Sequence, residues 1–175
     1  MPGPGSGIVL SKSSQLVVPG YYHIGTMFSG TEYGSMVLLS DDGAATFRPG
    51  GVIRPRNSTG SDCTHLEPNE AAVVELRDGR VYLEMRNRFQ QAACNHRLQS
   101  VSASEGETFS TVSESSLPQP NRCNGVTDAC GCEGSLVRGP DQQLYFSTPS
   151  NPRARTNGTV FSSRDGNNWE VLTVL

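Results

Sequence analysis

Residues 67–88, EPNEAAVVELRDGRVYLEMRNR, decide the fold. The stretch predicts two strands, Ala71 to Leu76 and Arg80 to Met85, joined at Asp78-Gly79. That dipeptide between apolar runs is a strong hairpin signal, because glycine tolerates positive φ and the aspartate side chain bonds its own turn. Antiparallel pairing then sets Glu70, just before the first strand, and Arg86, just after the second, at the same end of the hairpin. An acid and a guanidinium group are thereby brought side by side. Taken alone, that spacing fits a structural salt bridge as well as a functional site.

The rest of the chain extends the same pattern. Its 175 residues, 35% apolar with 19 Gly and 11 Pro, suit many short strands joined by turns, and long amphipathic helices are hard to find. The formal net charge of -3, with no run of five like charges, gives no electrostatic footprint for nucleic acid or an anionic membrane. No segment has the apolar length of a membrane-spanning helix. Met1 is followed by PGPGSG, which carries neither the basic start nor the apolar core of a secretion signal. Five cysteines and the sequons at Asn57 and Asn157 lean instead toward a lysosomal or secreted protein, so the compartment stays open. Cys123, Cys130 and Cys132 are bunched as C-x6-C-x-C, which allows a disulfide or two in an oxidising compartment. Zinc is the rival reading, although the paired C-x2-C spacing and flanking histidines of tetrahedral sites are missing.

Three octet-like segments repeat through the chain: Ser40 to Phe47 (SDDGAATF), Ser102 to Phe109 (SASEGETF) and Ser163 to Trp169 (SRDGNNW). Their spacing is about sixty residues, the mark of stacked units. Ahead of each come two apolar strands (GIVL with QLVVPGYY, AAVVEL with RVYLEM, GSLV with QLYFSTP) and a third that leads into the octet, and the residues after its aromatic supply a fourth. Four strands per unit make a propeller blade. The fold class is therefore all-β, with three blades over approximately 3–65, 66–125 and 126–175. In each octet an aspartate accepts backbone N–H groups, glycine takes positive φ and the aromatic anchors the turn.

These octets resemble the Asp box of the sialidase (neuraminidase) family, and the resemblance covers nearly the whole chain. Gly3 to Ile8 and Leu16 to Tyr21 (LVVPGY) resemble the family's GPG…LVVPAY segment, and Asn69-Glu70 through Arg86 resembles its NE…VVEL.DG…R segment. Ala44 departs from the usual box glycine, Ser104 from the box aspartate, and the third box is one residue short. The resemblance implies a six-bladed propeller, of which this chain would form three blades as an incomplete ring with open sheet faces that favour self-association.

It also implies an exo-α-sialidase that removes terminal sialic acid from glycoproteins, gangliosides and oligosaccharides, with no metal or cofactor. Arg86 and Arg155 would be two members of the family's arginine triad, and Glu70 the base for a tyrosine nucleophile. Tyr21 and Glu133 fall where the family places sugar contacts, although glutamine is frequent at the Glu133 position. Physical chemistry agrees with these roles. Guanidinium groups bind a carboxylate bidentately, and a neutral tyrosine avoids the like-charge repulsion that a carboxylate nucleophile would meet. The family's first arginine and its aspartate acid/base would lie before Met1, and the tyrosine nucleophile beyond Leu175. A non-catalytic, sialic-acid-binding or structural remnant of the propeller is the alternative. Asp62, Glu67 and Glu75 are expected to be solvated carboxylates, and His65 and His96 loop residues.

Overall fold

The computed structural model describes residues 2, 5–25, 32–57, 65–88, 96–119, 131–152 and 154–175. Each repeat is a four-stranded antiparallel sheet in which strands adjacent in sequence are adjacent in space. The first blade contains β1 (Ile8–Val9), β2 (Leu16–Ile24), β3 (Glu32–Ser40) and β4 (Arg48–Ile53). A two-stranded ribbon, β5 (Arg56–Asn57) with β6 (His65–Leu66), leads into the second blade and was not foreseen. The second blade holds β7 (Pro68–Glu75), β8 (Val81–Asn87), β9 (His96–Ser102) and β10 (Ser113–Pro118). The third holds β11 (Ser135–Arg138), β12 (Leu144–Pro149), β13 (Gly158–Ser163) and β14 (Glu170–Val174). No helix occurs among the described residues. The architecture is a partial propeller.

The strands of the 67–88 hairpin run further than their apolar residues suggested. Glu70 and Arg86 lie inside β7 and β8, not beyond them, because the ladder continues to the Pro68–Asn87 pair. His65 and His96 also belong to strands, β6 and β9.

β7 and β8 are buried on both faces, which is why the sequence reads AAVVEL and VYLEM as near-continuous runs. One face of β8 (Val81, Leu83, Met85) joins Val17, Val37, Leu39 and Leu98 in the core between blades one and two. Toward blade three, Val74, Leu76 and Tyr82 meet Leu144 and the edge of Trp169. Phe146, Phe161 and Leu117 extend that second core. The outward faces of the flanking blades stay uncovered: Val9 and Val52 on blade one and Val137, Val171, Leu172 and Val174 on blade three are all largely exposed.

The box turns form as their residues require. In the first, Asp42 accepts from the Thr46 amide (2.9 Å) and hydroxyl (2.6 Å) and from the Ser40 hydroxyl. Ser104 replaces that aspartate with a hydroxyl that accepts from the Thr108 amide at 3.0 Å. Asp165 accepts from the amides of Asn167 and Asn168.

The aromatics of the second and third boxes pack within their own blade, Trp169 edge-on to Phe146 at 6.1 Å, and also reach the preceding one. Phe109 of blade two enters the core shared with blade one, where Gly51 makes room: a Cβ there would stand 2.5 Å from the Phe109 ring. Trp169 of blade three packs onto blade two in the same way. Box carbonyls add directed bonds, Gly51 N donating to Gly106 O (2.7 Å) and Tyr82 Oη to Gly166 O (3.0 Å). Phe47, without such a neighbour among the described residues, is 47% exposed.

At the opposite end of the blades from Glu70, the Glu75 carboxylate corrects the expectation of a solvated group. It is buried and accepts from the Ser11 amide and hydroxyl of blade one, and Arg138 of blade three stands 3.7 Å away. Glu67 is likewise engaged, with Arg88 at 3.1 Å. Cys63, Cys94, Cys123 and Cys130, on which the disulfide and zinc readings turn, lie outside the described residues, as does Asp62.

Two stability tests follow from the boxes. Ala44 holds φ at +72° in an exposed turn, a conformation that costs a Cβ-bearing residue about 1–2 kcal/mol. Ala44→Gly is expected to stabilise the chain by ~0.5–1 kcal/mol and raise Tm by about 2–3 °C in thermal denaturation, and an unchanged or lowered Tm contradicts the assignment. Hydrogen bonds hold the Asp42 and Asp165 carboxyls down at about 2, led by the Thr46 hydroxyl and the Asn168 amide. Because the folded values lie below the unfolded range of about 3.9, this stabilisation is present above pH ~4 and is lost as pH falls toward 2. Asp42→Asn and Asp165→Asn are expected to flatten the acid limb of a stability-against-pH curve.

Candidate active site

The ladder between β7 and β8 is interrupted at one place. Pro68 pairs with Asn87 and Ala71 with Met85, so Asn69 and Glu70 together oppose Arg86 alone. A two-against-one bulge re-aims a side chain, and here it sets Glu70 toward the guanidinium group of Arg86. Arg86 Nη1 donates to Glu70 Oε2 at 2.9 Å, and the two side chains are 11% and 25% exposed. Blade one secures the bulge, because the buried Ser35 hydroxyl donates to the Asn69 carbonyl. The Gln119 side chain, just past β10, grips both backbone groups of Asn87 at 2.8 Å.

The segment 131–134, just ahead of β11, meets this pair from blade three. Gly131 lies against Arg86 so closely that a Cβ would stand 2.8 Å from Nε, a contact only glycine allows. Its carbonyl accepts from Arg155 Nη2 at 3.4 Å. Arg155 itself sits on the tip of the β12–β13 hairpin, which is closed by Ser150 N donating to Asn157 O and Asn151 N to Thr156 O. Arg86 and Arg155 therefore flank one glycine from neighbouring blades.

Electrostatics place further groups in the same cluster. Burial pushes the Cys132 thiol up, while Arg155, Arg86 and Arg97 pull it down and Glu70 pushes it up. Partial desolvation and then the Glu70 charge raise the carboxyl of the exposed Glu133, opposed by Arg97. Glu70, Arg86 and Arg155 are thus within electrostatic reach of Cys132, and Glu70 of Glu133. Tyr21 sits on the blade-one side: it pairs across β2–β3 with Ser35, the residue that holds Asn69. Beside it, His23 stacks on Tyr33 at 5.9 Å, and Arg88 covers the Tyr33 ring at 3.6 Å. An open cleft of about 470 Å³, lined by Ala72, Glu133, Ser135, Thr148 and Thr159 among others, falls within the ~300–1,000 Å³ of small-molecule sites. Neither arginine forms its walls, and it borders the cluster through Glu133.

A profile of the BNR repeat-like domain family matches residues 1–175. This chain is a BNR repeat-like domain of the sialidase family. The sialidase of Vibrio cholerae is 29% identical to it over 189 aligned residues, covering 97% of this chain and 23% of that protein. Among solved structures, a variant of the NanB sialidase from Streptococcus pneumoniae superimposes with a TM-score of 0.65 at 22% identity, covering 97% of this chain and 22% of its own. A Hadza microbial sialidase gives a TM-score of 0.67 at 19% identity, covering 100% and 31%. These structures share the fold. The sialidase-type domain described here spans less than a quarter of the length of the Vibrio relative.

Sequence reasoning missed Gly131 and Arg97. Gly131 gives no local signal, because its need arises from a side chain on another blade. Arg97 did leave one: the alternation Tyr82, Glu84, Arg86 marks one face of β8 as polar, so a cation on the neighbouring strand is the natural complement. The Glu70–Arg86 coupling is measurable in this sialidase-type domain. Arg86→Ala is expected to cost about 1–3 kcal/mol in urea denaturation by leaving a half-buried carboxylate without its cation. Adding Glu70→Gln should recover part of that loss, and a double-mutant cycle showing full additivity would mean the two groups do not interact.

Proposed function

We propose that this chain is part of an exo-α-sialidase and contributes Glu70 as the base and Arg86 with Arg155 as carboxylate ligands. The supporting observation is the convergence of two guanidinium groups from neighbouring blades on Gly131, with Glu70 bonded to one of them. Sialic acid carries a carboxylate on its reacting carbon, and paired arginines bind such a group bidentately while a poorly solvated site strengthens the attraction. Glu70, kept in place by the bulge, would accept the proton of a tyrosine nucleophile, whose ordinary pKa of ~10 makes it a weak attacker unaided. Tyr21 and Glu133 would line the sugar from blades one and three.

A second reading has its own support. Three of the chain's tyrosines turn their hydroxyls to carboxylates other than Glu70: Tyr22 to Glu32, Tyr82 to Glu84 and Tyr145 to Asp141. The 175 residues alone would then hold a sialoside without cleaving it.

Both readings are tested on this chain with N-acetylneuraminic acid and a fluorogenic sialoside. The expected outcome is saturable binding of the sugar acid by calorimetry and no hydrolysis. Arg86→Ala or Arg155→Ala should weaken binding on the order of 2–5 kcal/mol, the range for losing a desolvated charged contact. Absent binding in the unaltered chain would sink the carboxylate-clamp assignment, and robust turnover would show that a nucleophile is present after all.

A further inference from the structure

The interface between blades two and three contains an ion pair that stability does not explain. Arg97 and Glu84 are 1% and 0% exposed, with Nε 3.3 Å from Oε1 but without the alignment of a hydrogen bond. Glu84 also accepts from Tyr82 Oη at 2.5 Å. Removing two charges from water usually costs what their attraction returns, so well-packed apolar residues would serve at least as well. The same strand shows that they can: its other face meets blade one through Val81, Leu83 and Met85 alone.

What distinguishes Arg97 is where the rest of its guanidinium group goes. It lies 4.8 Å from the Phe146 ring, and Nη1 donates to the Cys132 carbonyl at 2.5 Å. Cys132 follows Gly131, which lies between Arg86 and Arg155, and precedes Glu133, whose carboxyl the Glu70 charge raises. No regular strand spans 131–134, so few ladder bonds fix this segment.

We propose that Arg97 is a positioning residue of the sialoside site: its buried guanidinium group, braced by Glu84, holds the 131–133 segment and thereby sets the separation of the Arg86 and Arg155 clamps. Arg97 touches no sugar in this arrangement. Its effect passes through the Cys132 carbonyl. The inference deepens the proposed carboxylate-binding role and rests on it for the ligand alone.

The test uses the full 175-residue chain with the double substitution Glu84→Met and Arg97→Met, which removes both charges together and fills their space, so neither is left orphaned. Denaturation midpoints are expected to stay near that of the unaltered chain. Amide hydrogen exchange at residues 132–134 should accelerate while the β7 and β8 amides stay protected, and N-acetylneuraminic acid should bind about tenfold more weakly, the usual scale for losing an outer support. Arg97→Lys keeps the charge without the reach to both partners, and should show the same fast exchange at 132–134. Unchanged exchange in both variants overturns the proposal, as does unchanged binding by a double variant whose segment has loosened. If the unaltered chain binds no sugar acid, the functional reading falls, and the exchange data still decide whether Arg97 holds the segment.

Discussion

Burial of the second blade on both faces is the constraint from which the arrangement follows. A sheet whose two inner strands are buried on each side must be sandwiched, and blades one and three do this at either face. Burial alone leaves sliding and rotation open. Directed contacts remove that freedom: Phe109 seats over Gly51, Trp169 packs against the cluster that holds Val74 and Tyr82, and the box carbonyls of Gly106 and Gly166 take donors from the blade before. Each turn does two jobs, closing its own hairpin and registering its blade on the last.

That registration sets where the charged side chains of neighbouring blades meet. β7 is the inner strand of the middle blade and contacts both β1 and β11. Its far end is tied by Glu75 to Ser11 and Arg138, so all three blades are held at one carboxylate. Its near end carries the bulge with Glu70. With one end pinned and the faces keyed, side chains at the other end are held to small displacements, which is the condition for two guanidinium groups to share one carboxylate.

The two interfaces of the middle blade differ in kind. Toward blade one the contact is apolar at its centre, with polar contacts at its margins: Ser35 to Asn69, Ser11 to Glu75 and Arg48 to Glu107. Toward blade three it is threaded by Tyr82, Glu84, Arg97 and Gln99, with Arg86 at the end of the row. Burial raises the Glu84 carboxyl, while the adjacent guanidinium group of Arg97 opposes the rise. Polar groups of this kind are costly unless each is partnered, and here most find their partners across strands or across blades. The buried ion pair therefore lies in the interface that leads to the 131–134 segment.

How far the sequence alone reached can be judged residue by residue. The Asp78-Gly79 turn, the period of the boxes and the alternation along VYLEMR suffice for strands, blades and the common end shared by Glu70 and Arg86, because turn chemistry and side-chain alternation are local properties. Local pattern could not show that Glu70 sits in a bulge, since the apolar run begins only at Ala71 and the extra residue exists only relative to β8. Nor could it show that Glu75 is buried, because its partners Ser11 and Arg138 belong to other blades. Gly131 and Arg97 acquire their roles from contacts between segments distant in the chain. The sequence by itself determined which residues form strands and turns; only the packing of one blade on the next decided which charges are buried together, because that depends on distances through space that no periodicity along the chain encodes.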